Sequence, residues 1–269
     1  VQRQKAFGLG LLMICSGLLM FPLMGTRTPR FDAFILVVDT ALATLSFVVA
    51  LLLYGQFAQK RSPSILVLAC GFLFVALTTL PQLLRLSQGA FLDAPLRFIT
   101  DLALPLAVIA YVVIWRFESS AAVAGRVSAY IGRSVTVAVA LSALMVWLCA
   151  AGDADIAHPG SDTAASVREA LATGFLVIVL GVAIGMLWWQ RQAALHEWLM
   201  VTLTAWVISV LLQGIVADGT SFAWHVARLY ALLGVACMLV AILADNATRS
   251  VRPPVAAPGG ERPRDRFSH

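Results

Sequence analysis

Three ionisable side chains stand inside long apolar runs: Asp39, Asp101 and Arg228. A charge at the centre of a membrane helix costs about 2.5–3.5 kcal/mol on insertion scales, so it turns to the bundle interior, to water or to a partner. One guanidinium and two carboxylates allow Arg228 to pair with Asp39 or with Asp101. His225 stands one turn before Arg228, on the same helix face. Gln82 and Tyr230 add an amide and a phenol to the candidate set. Three roles fit these residue types: a polar pocket that binds a ligand, an ion pair that only holds helices, or side chains that snorkel to the interface.

Other chemistry is poorly supplied. The chain has no Walker loop, no HExxH, no GxSxG and no glycine-rich dinucleotide fingerprint. Its 4 histidines are scattered. His269 is the last residue, and His158 sits in a polar stretch with Asp153, Asp155 and Asp162, which reads as a solvated loop. Cys15, Cys70, Cys149 and Cys237 each fall in an apolar run, with no CxxC and no Cys/His cluster. They read as buried thiols, not as disulfides or metal ligands. No cofactor, no metal site and no enzymatic activity are expected.

The elements that position these residues follow from composition. The chain has 269 residues, 60% of them apolar, with 19 basic and 14 acidic residues. Mean hydropathy is +0.88. A soluble domain carries about a quarter charged residues and about half or fewer apolar ones. Eight spans of about 20 residues need about 160 positions, and the chain has them. The apolar runs are continuous, whereas a barrel would alternate. The expected fold is an all-α, polytopic integral membrane bundle of about eight helices, at 6–25, 33–55, 63–84, 96–115, 133–151, 169–189, 198–217 and 221–244. The first run, behind Arg3 and Lys5, looks like a signal peptide. It is long for one and lacks an A-x-A site, so it is kept as a span. Residues 1–246 form the expected membrane domain. Residues 247–269, rich in Pro, Arg and Gly, are expected to be a disordered cytoplasmic tail or a linker to an effector.

Basic residues orient the bundle. With the N-terminus inside, inner segments hold 13 of the 19 basic residues, outer loops 5, and Arg228 lies within a span. The bias predicts both termini in the cytoplasm, and the net charge of +5 reads as topology, not as nucleic-acid binding. Trp115, Trp188, Trp189 and Trp198 fall at predicted inner ends. Asp39 then lies about six residues, or about 9 Å, below the outer end of its span. Asp101, Arg228 and Gln82 share that outer third. The inner third shows no comparable set, only hydroxyls such as Thr202, Thr204 and Ser209. Gly181 and Gly185 form a GxxxG with Gly174 near the same face, which suits either packing within the bundle or a helix dimer.

Several segments together resemble a known family. They are YGQFAQKRSPSILVLACGFLFVAL (54–77), LPQLLRLSQGAFL (80–92), LPLAVIAYVV (104–113) and WHVARLYALL (224–233). In order and spacing they are similar to the MASE-type membrane-associated sensor domain of the fourth class, over about 33–245. That bacterial family is a polytopic input module usually found before a diguanylate cyclase (GGDEF) or histidine kinase domain. Its motif residues fall on Gln56, Phe57, Arg61, Ser62, Gly71, Gly89, Ala90, Phe91, Pro81, Pro105 and Leu106, and its Arg-Leu-Tyr on Arg228, Leu229 and Tyr230. Two departures stand out. The family pattern has a histidine where this chain has Gln82, and Trp-His where it has Thr100 and Asp101. Asp101 could replace one ligand, but Gln82 is a poor metal ligand, so the resemblance implies that binding by those histidines is lost or altered here.

The resemblance implies a sensory input domain of the bacterial inner membrane. Its expected partners are the lipid bilayer, an unknown small-molecule or membrane signal, a second copy in a homodimer, and a cytoplasmic effector. A small transporter or channel using Asp39, Asp101 and Arg228 is the alternative. It would need polar side chains at more than one depth. A membrane enzyme would need Asp39, Asp101 and His225 at one level.

Overall fold

Long apolar segments in lipid must satisfy their backbone internally, and helices do so within one segment. A computed structural model of the chain describes residues 2–20, 32–85, 93–117, 126–152, 162–190, 194–215 and 222–250. These form eight α-helices and no strand. They are α1 (Gln2–Met20), α2 (Asp32–Lys60), α3 (Pro63–Arg85), α4 (Asp93–Phe117), α5 (Val127–Gly152), α6 (Asp162–Trp189), α7 (Ala194–Ile215) and α8 (Phe222–Ser250). Seven, α2 to α8, are long and apolar enough to cross a membrane. The eighth, α1, contributes the shorter apolar stretch Gly8–Leu19, and the rest of the expected span, 21–25, lies outside the described residues. So do most of the connecting segments, including 89–91 and the His158 segment, and the tail beyond 250. Helix α8 continues to Ser250, past the expected domain boundary at 246.

Six helices close a circuit of neighbours in the order α2, α3, α4, α6, α7, α8 and back to α2. Helices α4 and α7 also touch each other. A single core fills this circuit, with Phe57, Phe72, Leu104, Leu180, Leu203, Trp206 and Met238 among its buried members. The remaining two helices are peripheral. Helix α1 packs on α7 through Met13 and its own small core. Helix α5 packs mainly on α3, which is why most of its side chains are exposed. The outward faces carry large apolar side chains such as Leu36, Trp147, Phe175 and Leu211, as a lipid-facing surface requires.

Where helices approach closely, glycine permits it. A Cβ added to Gly71 of α3 would collide with Ala107 of α4. One added to Gly234 of α8 would lie 3.1 Å from both the Ala205 side chain and the Thr202 carbonyl of α7. Gly174, Gly181 and Gly185 behave differently. They are exposed, with nothing within 4 Å of an added Cβ. Packing within the bundle, one of the two roles expected for this GxxxG, is therefore overturned, because this face of α6 points outward.

The turn between α2 and α3 is short. Arg61 ends α2 with φ of 53°, a left-handed conformation, and its amide donates to the Phe57 carbonyl at 2.8 Å. Ser62 precedes Pro63, which starts α3 where a missing amide hydrogen costs nothing. The Ser62 and Ser64 hydroxyls hydrogen-bond at 2.7 Å. This accounts locally for the Arg-Ser motif pair. Phe57, its neighbour in the motif, is buried in the core.

Candidate functional site

The site forms at the end of the bundle where α2, α4 and α8 begin. Asp39 from α2 and Arg228 from α8 meet there, Oδ1 to Nη1 at 3.4 Å. They are 3% and 5% exposed. Taking two charges out of water costs several kcal/mol each, and good geometry must repay it. The geometry here is incomplete. The pair is longer than the 2.7–2.9 Å typical of a charge-assisted hydrogen bond. Asp39 Oδ1 and Arg228 Nε are both buried and make no hydrogen bond.

Asp101 is buried on α4. Its carboxylate lies within electrostatic reach of Arg228, Arg97 and Asp39. Both cations lie over Trp224, with the Arg97 guanidinium 5.1 Å and the Arg228 guanidinium 5.4 Å from its ring centroid. Cation–π attraction of this kind strengthens when desolvated. His225 packs against Trp224 and against Phe34, each at a centroid distance of 5.5 Å. Two guanidiniums thus lie over one indole, and two carboxylates balance them in formal charge.

A local feature of α4 explains how Asp101 is held. Pro105 has no amide hydrogen, so the Asp101 carbonyl loses its donor four residues ahead. Membrane helices tolerate this when a neighbour supplies the missing bond. The neighbour is Trp206 of α7, whose indole nitrogen donates to the Asp101 carbonyl at 3.2 Å. The proline at a motif position thereby ties α7 to α4 at the residue that carries the charge.

Gln82 lies at the same end but has another partner. Its side-chain nitrogen donates to the Thr100 hydroxyl at 3.1 Å, and that hydroxyl donates to the Leu96 carbonyl at 2.8 Å. It joins α3 to α4 beside Asp101. Tyr230 is placed elsewhere. Two residues beyond Arg228, it faces α1, where its hydroxyl meets Ser16 Oγ at 2.6 Å and the Met13 carbonyl at 3.4 Å. The structure therefore brings Asp39, Asp101, His225 and Arg228 together, sets Gln82 beside them and separates Tyr230 from them. Arg97, Trp224, Phe34 and Thr100 complete the cluster and were not among the sequence candidates. The WHVAR run held a clue, because Trp224 precedes His225 directly.

Polar groups also gather at the opposite end, where the sequence suggested only scattered hydroxyls. Gln56 of α2 donates to Asn246 of α8 at 3.2 Å, and Lys60 faces Asp245 at 4.0 Å. Fully buried His196 places Nδ1 2.7 Å from the Gln190 carbonyl and Nε2 3.0 Å from the Tyr111 hydroxyl. A carbonyl only accepts, so Nδ1 carries the proton and Nε2 accepts from the tyrosine. Tyr54 and Ser134 share a further bond at 3.0 Å. Each partner is remote in sequence, which hid the pairs from a linear reading. All four cysteines are free. The expectation that all are buried holds for Cys149 and Cys237; Cys70 is half-buried, and Cys15 is exposed because peripheral α1 turns Met13, not Cys15, inward.

Among the described residues, no group of three or more His, Cys, Asp or Glu side chains could hold a metal ion. An integral membrane helical bundle with a buried, charge-balanced cluster at one end is the class of protein these features define. The chain belongs to the membrane-associated sensor, integral membrane domain family (MASE4), which matches residues 29–249. Comparisons with curated proteins and with solved structures return no match.

Proposed function

We propose that this chain is the sensory input domain of a bacterial signalling protein. It detects a signal in the bilayer or at a pocket facing the periplasm, and relays it along α8 to a cytoplasmic output of the cyclic-di-GMP-synthesising or histidine kinase type. The observation that carries the reading is the Asp39–Arg228 pair with Asp101 and Trp224 around it. It joins α2, α4 and α8 at one end, and its unfilled hydrogen-bonding atoms leave a ligand or a proton something to act on. The inner-membrane location, the N-in/C-in orientation and a homodimeric assembly belong to the same proposal.

The apolar middle of the bundle favours a sensor over a transporter. Between the two polar ends the core is dominated by Leu42, Val49, Leu53, Val108, Val235 and Met238, with single buried hydroxyls at Ser46 and Thr202. A solute path would need polar side chains through that layer. The test uses the purified chain in lipid. Candidate signals are screened by thermal shift and hydrogen exchange, with Asp39→Asn and Arg228→Lys as comparisons, while proteoliposomes are assayed for flux. A signal that alters exchange in α8 of the wild type and not of the variants supports the proposal. Saturable flux through the chain without any such signal overturns it. Sequencing the native locus past the His269 codon shows which output, if any, shares the frame.

A further inference from the structure

We infer that α2 and α8 form a lever locked at both ends, in which opening the Asp39–Arg228 pair releases the Gln56–Asn246 bond at the far end. This rests on the sensory reading only for its purpose, since the mechanical coupling is measurable without any stimulus.

The two helices run side by side in the same direction. Asp39 meets Arg228 near their starts, and Gln56 meets Asn246 near their ends. Asn246 lies 18 residues beyond Arg228, which at 3.6 residues per turn is five whole turns, so both point from one face of α8. The matching stretch of α2, from Asp39 to Gln56, is 17 residues. At 1.5 Å per residue the locks stand about 25 Å apart on α2 and about 27 Å apart on α8. Two parallel rods with nearly equal distances between their locks hold one register.

Among the described residues no hydrogen bond joins α2 to α8 between the locks; the bonds that α8 makes there run to Ser16 of α1 through Tyr230 and to Thr202 of α7 through the Gly234 carbonyl. The shared core there receives Leu42, Val49 and Leu53 from α2, and Ala231, Val235 and Met238 from α8. Apolar contacts of this kind are non-directional and tolerate sliding or rotation better than hydrogen bonds do. The one buried polar side chain on α2 between the locks is Ser46, one heptad after Asp39, and its hydroxyl makes no hydrogen bond. Asp39 Oδ1 and Arg228 Nε are further buried atoms of the α2–α8 pair that make no hydrogen bond. Each such atom raises the energy of the present arrangement, and a second arrangement that fills them becomes accessible.

The far lock is the weaker. Gln56–Asn246 is a single neutral bond, and Lys60–Asp245 behind it is a 4.0 Å contact between side chains 33% and 43% exposed. An exposed pair of this kind adds little. In the proposed lever, the register of the last turns of α8 against α2 is set from the buried lock. Gln56, a family-motif residue with no function of its own in the sequence, becomes the positioning residue for the exit of α8.

The experiment measures backbone hydrogen exchange over the last turns of α8, with the full chain in lipid nanodiscs. Asn246→Leu and Gln56→Leu are expected to speed exchange there. Asp39→Asn is expected to speed it as well, by about five-fold or more, the lower range of ordinary coupling between sites. In the Asn246→Leu background Asp39→Asn adds little, because the far lock is already open. Arg228→Lys keeps the buried charge and serves if Asp39→Asn does not fold. Leu36→Ala, on the outward face of α2, is the control. The inference is overturned if Asp39→Asn and Arg228→Lys change exchange only around residues 39, 101 and 228. It is equally overturned if the two ends act with fully multiplicative effects. Either result leaves the sensory proposal to its own test, because a signal can still act on the cluster without this lever.

Discussion

Replacing Trp206 tests whether the bond to the Asp101 carbonyl is what holds α7 to the charged cluster. Trp206 is one of the largest fully buried side chains, and its indole donates to that carbonyl at 3.2 Å. Trp206→Phe removes the donor and part of the ring. A buried carbonyl left without a donor costs about 1–3 kcal/mol, and the lost ring volume adds to it. The carbonyl depends on Trp206 because Pro105 supplies no amide hydrogen. Pro105→Ala restores that hydrogen, and the carbonyl regains its helical partner. Trp206→Phe should then cost less in the Pro105→Ala background. Hydrogen bonds between membrane helices average about 0.6 kcal/mol and reach about 1.7, so the saving should fall in that range. The volume loss is common to both backgrounds and cancels. The assay is reversible unfolding of the four proteins from lipid–detergent mixtures. Costs of Trp206→Phe that agree between backgrounds within about 0.3–0.5 kcal/mol, the ordinary margin of additivity, would refute the reasoning.

Three further outcomes follow from the same geometry. Arg228→Met should destabilise by about 3–5 kcal/mol, since it strands Asp39 in the interior, and Asp39→Asn with Arg228→Met should recover part of that loss in the same unfolding assay. Gly71→Val should disrupt the α3–α4 crossing and lower the yield of folded protein, whereas Gly181→Val, with open space around it, should leave the monomer's stability within about 0.5 kcal/mol. Tyr111→Phe leaves His196 Nε2 without its donor, so nitrogen NMR of the wild type should report a neutral ring protonated at Nδ1, and the variant should lose about 1–3 kcal/mol.

The helices were legible because membrane segments announce themselves by length and apolarity, and α2 to α8 follow the spans read from composition. The charged residues were legible for the same reason, because Asp39, Asp101 and Arg228 stand out in apolar runs. Partner choice was less so. Arg228 was expected to pair with Asp39 or Asp101, and only packing decides that Asp39 is the contact. Trp224 and Arg97 were hidden because aromatic and basic side chains at span ends read as interface anchors. Asn246 and His196 were hidden because their partners, Gln56 and Tyr111, lie 190 and 85 residues away. The GxxxG of α6 misled in the opposite sense. Small residues at that spacing mark a surface where a helix could approach, and the sequence alone does not say whether one does.

In the proposed relay α8 is the element that responds, and its placement supports that reading. Its faces engage α2 through Arg228 and Asn246, α1 through Tyr230 and α7 through Gly234, where the Thr202 hydroxyl also bonds the Gly234 carbonyl at 3.0 Å. Trp224 adds Arg97 of α4 to that set. A change of charge at the cluster alters the balance between two carboxylates and two guanidiniums in a buried setting, where electrostatic energies are poorly screened. The element that bears Arg228 takes up that change most directly. Helix α4 is held at Asp101 by the bond from Trp206 and at Thr100 by Gln82. Helix α8 has a neutral tether of its own two residues beyond Arg228, the Tyr230 hydroxyl bonded to Ser16 of α1 at 2.6 Å. Helix α8 nonetheless carries both Arg228 of the ion pair and Trp224, over which Arg97 of α4 lies, so a change of charge at the cluster acts on it through two side chains.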